Sequence, residues 1–556
     1  MTKTIKLLIF GLFLSLSAIS QDKLPDILKE ELNRNMDALK KEKVAPYYLS
    51  YRVNDIKTYN IETSFGQIIR SGWSHSRKLC ANVRVGNNKV DNNHPIKGED
   101  YGWFSWDDGV EIPIENVSEG IKQVLWKETD KQYRKSADLY AKVVANIAIK
   151  VEDEDKSDDF SKEAPIIYNE AQLTEVNIAF DSKLWEEKIK KYSAIFLQNK
   201  DIIEGSANFS YTIERKYFVS NDGSVITENR VSCRIMTNAN TQADDGMNLP
   251  LYNSYFGLYP SDLPSDVLII AETHKLSETL TKLRTAPVVD SYTGPALLSS
   301  ASAGVFFHEI FGHRIEGQRM KDENDAQTFK KKVGQKVLNE NLSIIFDPSI
   351  SKYKNLCLNG AYKYDDQGQL GQKLIIVDKG ILKTFLMSRT PIEGIANTNG
   401  HGRAQAGQQA VTRQSNMFVE SNKPLTNDQL KQTLKAEAKK QGKEYGYLFV
   451  NTVGGFTTTG RYMPNAFNVT PTEVYRVYVD GRADELVRGV DLVGTPLSIF
   501  SNIEAAGTDY GIFTGFCGAE SGSVPVSTVC PTLFVKQIET QRKAKNQTKR
   551  PILSRP

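Results

Sequence analysis

Residues 206–236 read SANFSYTIERKYFVSNDGSVITENRVSCRIM. Segments 206–219 and 224–236 alternate apolar and polar side chains with a period of two, as half-buried strands do. Asn221-Asp222-Gly223 between them supplies the turn of a hairpin. Upstream, 183–199 reads as a helix, and 24–41 places Leu24, Ile27, Leu28, Leu32, Met36 and Leu39 on one helical face. Strand-like segments lie near 46–54, 61–70 and 79–86, and helical ones near 117–127 and 132–148. Downstream, 268–285 reads helical before Pro287 and Gly294-Pro295 punctuate the chain, which sets a domain boundary near 290. Beyond it β signals dominate, at 372–378, 381–387, 446–453, 473–480 and 532–538, with helices near 300–312, 425–439 and 497–504. The expected class is α+β: a helix-richer N-terminal α/β domain over 21–290 and a sheet-rich C-terminal domain over 291–540, with antiparallel sheets.

The chain has 556 residues, 40% hydrophobic and 25% charged, which is globular composition with room for two or three domains. The net charge of +3 hides an asymmetry. Lys3 and Lys6 open the chain without an acid, and the tail over 541–556 holds Arg542, Lys543, Lys545, Lys549, Arg550 and Arg555, again without one. The body between them is mildly acidic, which argues against a nucleic-acid-binding surface. The tail reads as disordered and solvated. Residues 1–20, MTKTIKLLIFGLFLSLSAIS, join two lysines to an apolar run ending in Ala18-Ile19-Ser20, the pattern of a cleavable signal peptide. The run is too short to span about 30 Å of hydrocarbon. The expectation is an exported protein, periplasmic or secreted, without stable membrane insertion. Five scattered cysteines, Cys80, Cys233, Cys357, Cys517 and Cys530, do not form a disulfide framework. The acidic run EDEDKSDD at 152–159 reads as a solvated loop.

With only six histidines in the chain, the spacing in residues 299–320, SSASAGVFFHEIFGHRIEGQRM, stands out. His308, Glu309 and His313 form H-E-x-x-x-H. Histidines at i and i+5 sit about 140° apart on an ideal helix. Both reach one metal only through a π-turn or a helix break, and Gly312 permits a break within 308–314. The other reading is a Glu309–His313 pair hydrogen-bonded one helical turn apart. A catalytic zinc takes three protein ligands and keeps a place for water, with a nearby carboxylate as base, a part Glu309 fits. The third ligand could be Glu316, another histidine or a cysteine. Glu316 could instead orient a histidine. His401, in NTNGHGRAQAG, could bind metal, steady an oxyanion, or be a plain loop histidine.

FHEIFGHRIEG resembles the H-E-x-x-x-H helix of the TldD/PmbA metallopeptidases and the L-E-G that follows it. AYKYDDQGQLGQKLIIVDKGILKTFLMSR, GHGRAQ, YRVYVDGRADELVRGVDLVG and TGFCGAESGSVPVSTVCPTL resemble further segments of that family, over about 300–535. ERKYFVSNDGSVI carries a weaker likeness in the first half. The resemblance implies a C-terminal metallopeptidase domain, with Zn2+ held by His308, His313 and Cys517, and Glu309 as the catalytic base. Glu316 and His401 are left as supporting or substrate-contacting residues, and Cys530 falls where the family has glycine. The terminal signature departs from the family in reading CGAESG, without the family's lysine and glutamine. The implied activity is hydrolysis of short or unfolded peptides. The implied assembly is a homodimer, or a heterodimer with an inactive homologous chain. Because the inactive partners lack the H-E-x-x-x-H residues, this chain resembles the TldD side. A non-catalytic binding or scaffold subunit working with a partner chain is the alternative.

Overall fold

The computed structural model describes residues 22–96, 109–147, 155–325, 327–461 and 467–543, together with 551, 553 and 555. The signal-like leader and most of the basic tail lie outside the described residues.

The hairpin Glu204–Ser220/Val225–Gln242 pairs along its full length and forms the middle of a seven-stranded sheet. On one side it joins a second long hairpin, Pro46–Ser64 and Gln67–Val85. On the other lie Asn248–Gly257 and the short Ile167–Asn169, whose pairing is parallel. Three strands were expected over 46–86, and two are found. The turn between them is Phe65-Gly66, with φ of 46° and 82°. Positive φ at both central residues gives the twist a two-residue hairpin needs, yet Phe-Gly carries little of the Asn-Gly signal that would mark it. The two helical stretches of 117–148 likewise merge into one helix, Ser118–Ile147. Helices Leu24–Leu39 and Ser182–Ala194 pack against the sheet, as does Asp266–Thr285, capped at its start by Ser265.

The second sheet has eleven strands and holds the largest buried core. It is mixed rather than purely antiparallel. Tyr292–Leu298 runs parallel to Tyr445–Thr457, and Asn416–Ser421 parallel to Gly522–Arg542. Long connections let strands return in the same direction, which strand periodicity does not register. Gly522–Arg542 reaches two residues into the expected tail, where Val490 and Asp491 pair with Arg542 and Gln541. Helix Ser300–Ile310 lies against this sheet with every residue from Ser302 to Ile310 buried, as its all-round apolar sequence requires.

The acidic run corrects another expectation. Asp155 and Asp159 are buried. Asp159 accepts the Asp91 amide at 2.9 Å and pairs with His94 and Lys321, each at 2.9 Å. Backbone donors and cations from both halves compensate the charge, so Asp155 and Asp159 pack despite the run's composition, while 152–154 lie outside the described residues. Among the described residues no helix is long and apolar enough to cross a membrane.

Candidate metal centre

Helix Ser300–Ile310 carries His308 and Glu309 into the interior. It stops at Phe311, and a 3-10 turn over Gly312–Ile315 carries His313. The break, rather than a π-turn, removes the angular offset, and the two imidazole centroids stand 5.1 Å apart. Gly312 leaves room for the Gln414 side chain, whose amide a Cβ there would displace. The carbonyls freed by the break are met by buried Arg314, which donates to Glu309 O at 2.8 Å and Ile310 O at 3.3 Å.

The third group arrives from 204 residues away in sequence. Cys517 lies on Ile503–Ala519, paired with Val524 across the last hairpin. Its Sγ is 3.3 Å from His313 Nε2. Ligand atoms of His308, His313 and Cys517 all lie within 4.8 Å of one another.

The electrostatics suit a cation. Burial opposes ionisation of Cys517, but His313, His308 and Arg413 overcome it and hold the thiol well below its ordinary range. Glu316 is fully buried and held at about 2, because His313 and two arginines outweigh its desolvation. Its Oε2 faces His313 Nδ1 at 3.3 Å and accepts Arg319 Nε at 2.9 Å. Its Oε1 is 3.6 Å from Arg413 Nε. Arg413 also donates to the Cys517 carbonyl, to Ser521 Oγ at 2.9 Å and to Gly522 O at 2.8 Å. One guanidinium therefore braces both the cysteine strand and the carboxylate behind His313. Two imidazoles and a thiolate are zinc-type donors. His308 Nδ1 is buried without a hydrogen bond among the described residues, which leaves it a donor to offer.

The three groups and Glu309 line a cavity of about 1070 Å³ between the two sheets. Burial pushes the Glu309 carboxyl up, against the pull of His308 and His313. Its space is provided by Gly455, where a Cβ would come within 2.8 Å of Glu309 Cγ.

Glu316 lies against His313 Nδ1. His401 does not join the group. It is fully buried outside the cavity wall, with Nδ1 3.0 Å from Asn399 Oδ1 and Nε2 3.1 Å from Ser415 Oγ. Both nitrogens are committed, so neither a metal nor an oxyanion is within its means. Cys530 belongs to the apolar core. Sequence reasoning missed Arg413 and Gly455, which lie far from the motif, and Arg319, whose three-residue spacing from Glu316 was the available signal.

Residues 291–542 match the PmbA/TldA metallopeptidase C-terminal domain. The second half of the chain thus carries the C-terminal domain of the TldD/PmbA family. A metalloprotease of Archaeoglobus fulgidus is 28% identical over 48% of this chain and 57% of its own. A metalloprotease of Methanocaldococcus jannaschii is 32% identical over 41% and 47%. A zinc metalloprotease TldD homolog of Saccharolobus solfataricus is 26% identical over 44% and 51%. The matched stretch thus spans about half the length of these relatives. TldE of Thermococcus kodakarensis superposes with a TM-score of 0.61 over 93% of this chain and all of that one, at 12% identity. A putative modulator of a DNA gyrase from Thermotoga maritima gives 0.57 over 92% and 99%, at 14%. The fold of these two structures therefore extends over both halves of the chain, whereas the family-model match lies in the second.

Proposed function

We propose that the protein is a zinc-dependent peptidase of the H-E-x-x-x-H type acting on short or unfolded peptides. The observation that carries this reading is the convergence of His308, His313 and Cys517 within 4.8 Å, with Glu309 in the same cavity wall. Those three side chains would hold the zinc, which when bound supplies Lewis acidity toward a scissile carbonyl and toward water. Glu309 takes a proton from the attacking water and returns it to the departing amine. Its carboxyl, raised by burial, is a stronger base than an exposed glutamate. Glu316 fixes the His313 ring and Arg413 fixes Cys517, so little reorganisation is left to the reaction. The cavity lies at or beyond the upper end of ordinary ligand pockets, roughly 300–1,000 Å³, which suits a length of extended chain. Export by the leader and work as a homodimer, or beside an inactive homologous chain, complete the proposal.

The test is zinc content by mass spectrometry and hydrolysis of an oligopeptide mixture by purified chain. One zinc per chain and a fall in turnover of about 10²–10⁴-fold in Glu309→Gln, with zinc retained, are expected. Equal turnover by that variant would remove Glu309 from the reaction. Absence of zinc and of hydrolysis, restored only by a second chain, would favour the scaffold reading.

A further inference from the structure

Arg234 projects from strand Val225–Gln242 into the wall of the metal cavity. Its Nη1 donates to Ser254 Oγ at 2.6 Å and Thr514 O at 3.2 Å, while Nη2 is buried without a hydrogen bond. The guanidinium carbon stands 5.2 Å from the Phe256 ring centre and 6.0 Å from that of Phe516. Among the described residues no carboxylate acts on it: the groups that shift its charge, after burial itself, are Tyr252, Arg230 and Cys233. Burial pulls it down to about 10, so it stays a cation at neutral pH.

Arg319 in the same wall shows the usual arrangement, clamped by Glu316, Asp325 and Glu520. Apart from Glu309 at the metal cluster, the cavity's acids are committed elsewhere. Glu272 accepts the Tyr255 hydroxyl at 2.5 Å, and Glu473 accepts Asn451 Nδ2 at 2.9 Å and the Tyr475 hydroxyl at 2.8 Å. A desolvated guanidinium with neither acid nor full hydrogen bonding is costly, and such groups are matched to planar anions.

We infer that Arg234 is a carboxylate-recognition group of this cavity, taking either the C-terminal carboxylate of a bound peptide or an Asp or Glu side chain within it. The identity of the ligand as a peptide rests on the peptidase reading. Arg234 contacts Thr514, three residues before Cys517 on one strand, or roughly 10 Å. The recognised carboxylate therefore lies two to three residues from the bond to be cut.

The test uses zinc-loaded Glu309→Gln protein and fluorescein-labelled alanine hexapeptides, read by anisotropy. One peptide is amidated, one has a free C-terminus, and two amidated peptides carry an internal Glu or Gln. A carboxylate peptide is expected to bind about tenfold more tightly than its neutral counterpart, as one charge-assisted hydrogen-bonded pair implies. The free-terminus and internal-Glu arms identify which carboxylate is recognised. Added Arg234→Met should erase the preference, and Arg234→Lys, which keeps the charge without the fork, should reduce it if the Met variant does not fold. Equal affinities, no binding by any carboxylate peptide, or a preference that survives both substitutions would overturn the inference. Hydrolysis of these peptides by the wild-type chain without any preference would overturn Arg234 alone. A preference abolished by Arg234→Met without hydrolysis would overturn the peptidase reading alone.

Discussion

Two histidines in the second half, His313 and His401, are both buried and both lie beside glycine, yet the protein treats them oppositely. His313 faces a thiol and a carboxylate, which raise it well above its ordinary value against desolvation. His401 faces an amide, a backbone carbonyl and a hydroxyl, and desolvation pushes it down to about 3. Burial alone makes a neutral structural histidine. Burial beside anions makes a site that attracts positive charge, and a site for metal when a second imidazole completes the set.

The largest expected effects fall on the His313 side. Cys517→Ala or His313→Ala should abolish zinc binding, measured by metal content after dialysis, whereas His401→Gln should leave that content unchanged. A stoichiometric zinc in either ligand variant would break the comparison. Next comes the brace. Glu316→Gln removes the charge that orients His313 and leaves Arg319 and Arg413 less compensated. Zinc affinity should fall about 10–100-fold in a chelator competition, and thermal stability should fall as well. Gly455→Ala should crowd Glu309 without touching the ligands. It should lower kcat by roughly tenfold to a hundredfold at unchanged zinc content. Loss of zinc in that variant would mean that the strand, not the carboxylate, had moved.

The effect furthest from zinc and turnover is the pH dependence of stability set by His401. An unfolded imidazole takes up a proton near pH 6.5, whereas the folded His401 stays neutral until about pH 3. Between those values the unfolded state binds more protons. The stability fully present above pH 6.5 is therefore lost progressively as pH falls toward 3. Asp365, raised to about 6 by burial and bound by the Gly402 amide, has the opposite slope. The difference between wild type and His401→Gln isolates the histidine. Urea unfolding in chelator should show a shallower acid-side decline in the variant, and identical slopes would refute the neutral assignment.

The α+β class, the hairpin with strands at 206–219 and 224–236, and an interruption of the helix within 308–314, as a break or a π-turn, were legible because each rests on local signals: period-two alternation, Asn-Asp-Gly turn chemistry, and glycine beside a motif. The His308, Glu309 and His313 set was legible from spacing, and Cys517 only through family resemblance. The Phe65-Gly66 turn was not, because the fold imposes positive φ where the residues barely announce it. Nor was the burial of Asp155 and Asp159, whose partners come from elsewhere in the chain.

By itself the sequence determined which side chains were available, and that His308 and His313 could share a metal only if the helix between them were interrupted, since those depend on neighbours within a turn or two. Only the tertiary structure decided that Cys517 completes the cluster, that Arg413 braces it, that Gly455 clears room for Glu309, and that His401 is excluded. Each is a contact between strands, turns or loops distant in sequence, and the charge state of a buried group depends on whichever neighbours the fold brings against it.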